Sequence, residues 1–226
     1  MRGEATLLPF PARCLTTIER HVILSLMVYR TTPKMARRKE QQRAHLLETA
    51  VRLFGRQGYH ATTVPMIVKA ARGSTGSFYF YFRNKEDVFA AALESFGSRI
   101  AAALEAAIDA AGEAPAARMR AAVERLVTFM AENPHQARIF IVETSGLGGK
   151  LQGIRRRIVD GHAQAVAAAL RRLDPRLDQD IVARCWVGAV YEAVFHWLEL
   201  EPARRPPAAR LAAAVADFNL RGSGGG

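Results

Sequence analysis

An all-α chain in two parts, a small N-terminal three-helix domain followed by a larger helical one, is what this sequence predicts. Apolar residues recur at i, i+3, i+4 and i+7 in nearly every long segment. No stretch of useful length alternates with the period of a strand, and Gly, Pro, Asn and Asp stand where the helical patterns begin and end. At 226 residues the chain is long enough for one or two domains with a substantial core.

Residues 1–34 have scattered Pro and no sustained period, and read as a poorly ordered extension ahead of Met35, with a basic arm as the alternative. A first helix is expected over about 38–57. Leu47, Ala50, Val51 and Phe54 form its apolar stripe and Gly58 its stop. A second opens after Thr62 or Thr63 as N-cap, tolerates Pro65 in its first turn, and carries Val64, Ile67, Val68 and Ala71 on one side. The turn Arg72-Gly73-Ser74 separates it from a third helix of about two turns. There Phe78 and Phe82 point inward, and Thr75, Ser77, Tyr79 and Tyr81 point outward. Asn84 caps a fourth, long helix reaching about Ala111, with Glu86 and Asp87 on its positive dipole end. Further helices are expected over 116–132, 134–144, 151–173, 178–200 and 207–220, with 146–149 a loop and 221–226 a flexible tail. The 178–200 segment is apolar nearly all round and must be buried on more than one side.

Charge separates the parts. Residues 34–95 hold 11 Lys and Arg against five Asp and Glu, whereas residues 96–226 hold 17 against 14. The excess therefore collects where the two short helices lie, as binding to a polyanion requires.

Those short helices also carry a resemblance. LLETAVRLF (46–54), GYHATTV (58–64), the Ile67/Ala70/Ala71 pattern, GSFYFYF (76–82) and NKEDVFAAALESF (84–96) closely resemble the DNA-binding domain of the tetracycline-repressor (TetR) family. Two positions depart from that pattern. Arg72-Gly73 replaces its usual Gly-Val turn, and Phe80 stands where a His is common. The resemblance implies a helix-turn-helix DNA-binding domain at 35–84 and a ligand-binding and dimerisation domain at 85–220. It implies DNA contacts from Thr75, Gly76, Ser77, Tyr79 and Tyr81, from Lys85 as a phosphate-binding lysine, and from Thr62 and Thr63 at the far end of the motif. Phe80 stays open between core and DNA. It further implies a pocket lined by residues such as Phe129, Phe140, Trp186, Tyr191 and Phe195. A dimer interface is expected on the last two helices, through Val190, Val194, Trp197, Leu211, Val215 and Phe218. Trp186, Val190, Val194 and Trp197 are too many apolar side chains for one intramolecular core, so an outer face carrying Val190 and Val194 is expected to meet a second subunit.

Other motifs point away from catalysis. SGLGGK (145–150) lacks the first glycine and the final hydroxyl of a phosphate loop. His135, His162 and His196 are isolated histidines rather than a metal-ligand spacing, so no cofactor and no metal are expected. Arg155-Arg156-Arg157 reads as a solvated face or as a clamp for a phosphate-bearing ligand such as an acyl-CoA. Cys14 and Cys185 fit no disulfide framework, which suits a reducing cytosol. The longest apolar run near the N-terminus, Val22–Tyr29, is too short to span a bilayer. The resulting expectation is a cytoplasmic, homodimeric, ligand-responsive repressor on a palindromic double-stranded DNA operator, released by a small, mostly apolar or acyl-CoA-like effector. The alternatives are an α-helical ligand-binding protein or enzyme, and a sequence-independent DNA binder.

Overall fold

The computed structural model describes residues 33–222. The expectations for residues 1–32 and 223–226 lie outside them. Contacts divide the chain after Gln42. Of the first unit, Pro33–Gln42 are described; they are the opening turns of the first helix and are mostly exposed. The second unit, Arg43–Gly226, holds the rest of that helix and every later one.

Among the described residues there are nine α-helices and no strand. Helix α1 (Pro33–Ala61) buries Leu46, Ala50, Val51 and Phe54, the expected stripe apart from Leu47, which is partly buried. It begins earlier and ends later than its periodicity suggests. Gly58 nevertheless breaks it, with φ 84°, a backbone region open chiefly to glycine. Helices α2 (Val64–Ala70) and α3 (Thr75–Tyr81) come next, and the long α4 (Lys85–Ala110) starts from an Asn84 side chain that accepts the Asp87 N–H at 2.8 Å.

The body consists of α4 with α5 (Pro115–Glu132), α6 (Pro134–Ile141), α7 (Gly149–Leu173), α8 (Gln179–Glu199) and α9 (Ala208–Gly222). Helix α5 packs on α4 and on α9, and α7 packs on α8. The segment expected to extend α6 to Thr144 turns instead into a 3-10 turn, Glu143–Gly146. There the Thr144 hydroxyl, fully buried, donates to the Ile139 carbonyl at 2.7 Å. This bond satisfies the helix end and turns the chain toward α7.

Helix α8 corrects one expectation. Trp186, Val190, Val194 and Trp197 are all buried within this single chain, because α5, α6, α7 and α9 all pack against α8. Trp197 also donates its indole N–H to the Pro206 carbonyl at 2.9 Å. Four neighbours cover more of a helix than a sequence pattern can count. Among the described residues no helix is long and apolar enough to cross a membrane.

Candidate functional site

Two features stand out: the outer side of α2 and α3, and a groove in the body. The α2–turn–α3 unit is held by capping at each end. Thr63 Oγ1 accepts the Met66 N–H and Ser74 Oγ accepts the Ser77 N–H at 3.1 Å, satisfying amides that the helix starts leave unpaired. At the end of α2, Gly73 N–H donates to the Val68 carbonyl and Arg72 N–H to the Lys69 carbonyl, which is the Schellman arrangement. Its left-handed residue is Arg72, with φ 50°, and not the neighbouring glycine. The His45 ring, 3.2 Å from the Ala71 carbonyl, ties this turn to α1.

Beneath, Phe78 is fully buried and Phe82 nearly so. Outside, Thr63, Lys69, Arg72, Ser74, Thr75, Gly76, Tyr79 and Phe80 form an exposed strip. Tyr79 and Phe80 show 53% and 66% of their surface, so Phe80 is not a core residue in this chain. Ser77 and Tyr81 are half-buried. A Cβ on Gly76 would meet nothing within 4 Å, so no contact inside the chain requires a glycine there.

Two expected contact residues have other occupations. Thr62 is fully buried. Its hydroxyl donates to the Gly58 carbonyl at 2.8 Å and accepts from Gln57, which leaves no surface for a phosphate. Lys85 is half-buried, with its ammonium 2.8 Å from the Tyr59 carbonyl and 4.2 Å over the Tyr59 ring. Burial pushes its pKa down. It closes the end of α1 before it offers a donor outward. Beside it, Asp87 takes two guanidinium bonds from Arg83, at 2.6 and 3.0 Å, and these hold its carboxyl down at about 2.

The body contains an open, mainly apolar groove of about 880 Å³ between α4, α5, α7 and α8. Leu104, Ile108, Met119, Val123, Ile158 and Val166 supply apolar wall. Arg118, Arg157 and Arg172 lie among its lining residues, as do Glu94, Glu105 and Asp109. Arg118 reaches Asp109 at 3.7 Å, whereas Arg157 and Arg172 form no ion pair among the described residues.

Of the five residues expected to line a pocket, Trp186 does so. Phe129 instead packs on Phe96 under Arg99 and Arg125, and Phe140 lies between Phe96 and Tyr191. Phe195 is partly buried against the core. Tyr191 stands behind the lining, where its hydroxyl is 2.6 Å from Nδ1 of His162, and His162 does line the groove. Burial holds the His162 imidazolium down to about 4 and pushes the Tyr191 phenol up. Nothing in the sequence singled out His162 for this place, since its neighbours on α7 are small and aliphatic residues with Asp160 and Gln164.

Val190 lines the groove and so leaves the expected dimer surface. Val194, Trp197 and Val215 are buried in the chain and Leu211 is partly buried. Phe218 on α9 is 69% exposed and Ile181 on α8 is 62% exposed, the large apolar side chains that these two helices leave uncovered. Among the described residues no three His, Cys, Asp or Glu side chains converge as metal ligands.

Comparison with known proteins agrees with this arrangement. Residues 46–92 match the family model for bacterial regulatory proteins of the tetR family. The HTH-type transcriptional regulator HbdR of Aromatoleum sp. (strain CIB) is 40% identical over 58 residues, 26% of this chain and 24% of that protein. The regulator TcmR of Streptomyces glaucescens is 30% identical over 156 residues, 67% of this chain and 64% of TcmR. The regulator YdgC of Bacillus subtilis (strain 168) is 29% identical over 156 residues, 66% of this chain and 77% of YdgC. The chain thus spans between about a quarter and three quarters of the length of these relatives. Among solved structures, FadR from Bacillus subtilis in complex with stearoyl-CoA superposes with a TM-score of 0.69 at 21% identity, over 79% of this chain and 98% of that one. AibR in complex with isovaleryl coenzyme A and operator DNA gives 0.67 at 18% identity, over 78% and 97%.

Proposed function

The chain belongs to the TetR family of bacterial transcriptional regulators and is not an enzyme, and from that premise we propose a homodimeric repressor whose operator grip is released by an amphipathic ligand in the body groove. On this reading residues 35–84 read DNA, and 85–220 bind ligand and partner. The observation that carries DNA reading is the exposed strip of α3. A glycine in a first helical turn is a poor helix former, and nothing inside the chain explains Gly76. Close approach of a nucleic-acid backbone does explain it. Thr75 and Ser77 put hydroxyls at the same end, while Tyr79 and Phe80 present rings suited to thymine methyls and sugars. Thr63, Lys69 and Arg72 flank them for phosphates. Lys85 contributes through the same helix start as far as its bond to Tyr59 leaves a donor.

The groove supports an effector with an apolar chain and an anionic end. Its wall is mainly apolar, and Arg157 and Arg172, which form no ion pair among the described residues, can hold phosphate or carboxylate groups. The complexes of FadR with stearoyl-CoA and of AibR with isovaleryl coenzyme A are in keeping with an acyl-CoA-like ligand. A cytoplasmic location suits a protein that works on DNA.

A gel-shift on the DNA upstream of the protein's own gene, with excess unrelated DNA as competitor, tests the reading. The native protein should hold its site at moderate salt. Tyr79→Ala should weaken it about tenfold or more without changing the melting temperature, in line with the loss of about 1–3 kcal/mol for a base contact. Equal competition by unrelated DNA would show a sequence-independent binder instead.

A further inference from the structure

We propose that His162 is the neutral recognition point of the groove, donating from Nε2–H to an uncharged acceptor, such as a ketone, ester or thioester carbonyl, within the apolar part of the effector. The inference rests on the ligand-responsive reading above and gives that ligand a specific chemical feature. Its basis is the hydrogen-bond arrangement behind the groove wall.

Tyr191 is buried, and Nδ1 of His162 at 2.6 Å is the partner of its hydroxyl. Were Nδ1 to carry the proton, the phenolic hydrogen would have no acceptor, at the cost of an unsatisfied buried donor. The phenol therefore donates to Nδ1, and the imidazole proton is fixed on Nε2. That nitrogen has no protein partner among the described residues, and none of their side-chain nitrogens or oxygens is both buried and unpaired. Nε2–H thus keeps open surface on a ring that lines the groove. The one hydroxyl among the lining residues is committed, since Ser98 donates to the Glu94 carbonyl at 3.0 Å. Burial keeps the ring uncharged at neutral pH, so it offers a hydrogen bond and not an ion pair. A carboxylate or phosphate is left to Arg157 and Arg172, and a carbonyl inside the chain of the ligand to His162.

The test compares two nearly isosteric probes, 4-phenyl-2-butanone and butylbenzene, as displacers of 1-anilinonaphthalene-8-sulfonate from the full protein. His162→Phe should weaken the ketone about fivefold, the worth of one neutral hydrogen bond, and leave the hydrocarbon within about twofold. His162→Gln, whose amide can supply a donor at a similar reach, should keep the native preference. If His162→Phe does not fold, His162→Met against His162→Gln gives the same contrast. Unchanged ketone affinity in the Phe or Met variant overturns the proposal, as does an equal loss of both probes from a variant with native melting temperature. A native protein that never binds the reporter overturns the groove reading, and this assignment with it.

Discussion

Arg72 holds the left-handed position at the end of α2, and the glycine that would hold it without strain lies one residue later. The sequence shows a turn at Arg72-Gly73-Ser74 plainly, because the Val64, Ile67, Val68, Ala71 stripe stops there. It does not show which residue turns left, since that depends on which amide closes the last hydrogen bond. Here Gly73 N–H reaches Val68 and forces φ 50° on the arginine. A side chain in that region costs about 1–2 kcal/mol, partly offset by what a glycine loses in the unfolded state. Arg72→Gly should therefore stabilise the protein by about 0.5–1 kcal/mol, read as a higher urea midpoint at unchanged slope. Gly73→Ala should gain a comparable amount, about 0.4–1 kcal/mol, by a different route: Gly73 has ordinary φ, the nearest atom to an added Cβ is the Val68 carbonyl oxygen at 3.9 Å, and alanine has fewer unfolded conformations to lose. A destabilised Arg72→Gly protein would show that the arginine side chain contributes more than its backbone costs. Thr62 carries the same lesson. Hydroxyls at adjacent positions 62 and 63 look alike in a sequence, and the Gly58 carbonyl selects Thr62 for the interior.

Among the elements, α6 and its 3-10 extension connect the DNA-reading head to the body. Tyr59 N–H, just past the break at Gly58, donates to the Glu143 carboxylate at 2.9 Å across 84 residues of chain. At the other face of α6, Phe140 meets Tyr191, whose hydroxyl holds His162 at the groove. A run of contacts thus extends from the groove wall to the end of α1. Glu143→Ala should leave that amide without its acceptor, lower stability by about 1 kcal/mol and speed exchange of the Tyr59 amide hydrogen roughly tenfold. Unchanged exchange at Tyr59 would show that the head is held by other contacts. Helix α8 marks how far periodicity reaches. Its all-round apolar character is legible and correctly demands burial, but the sequence does not say whether the covering helices belong to the same chain. Pocket residues are less legible still. Bulky aromatics such as Phe129 and Phe140 are core, and the groove is left to Ala, Gly and aliphatic residues on α4, α5 and α7. Empty volume forms where side chains are small, which a search for large ones passes over.

At the scale of the whole molecule, a recognition helix of two turns reads too few base pairs to select an operator alone. Two heads at fixed spacing are needed, and that spacing must come from a subunit contact. On the proposed dimeric reading, that contact forms on the parts of α8 and α9 that this chain leaves uncovered, where Ile181 and Phe218 are the exposed large apolar side chains. Each side chain of that size contributes about 1.5–3 kcal/mol when buried, so pairing them across a two-fold axis favours a lasting dimer. Phe218→Glu should yield a folded monomer by light scattering at micromolar concentration and should abolish specific DNA binding. Val194→Glu should behave differently. Val194 is 1% exposed inside the chain, so a carboxylate there has neither water nor partner, and the protein should lose its cooperative melting transition rather than merely dissociate. The pair of variants separates an interface from a core. A Phe218→Glu protein that stays dimeric and binds its operator would remove α9 from the interface, and a folded monomeric Val194→Glu protein would return α8 to the role its sequence pattern suggests.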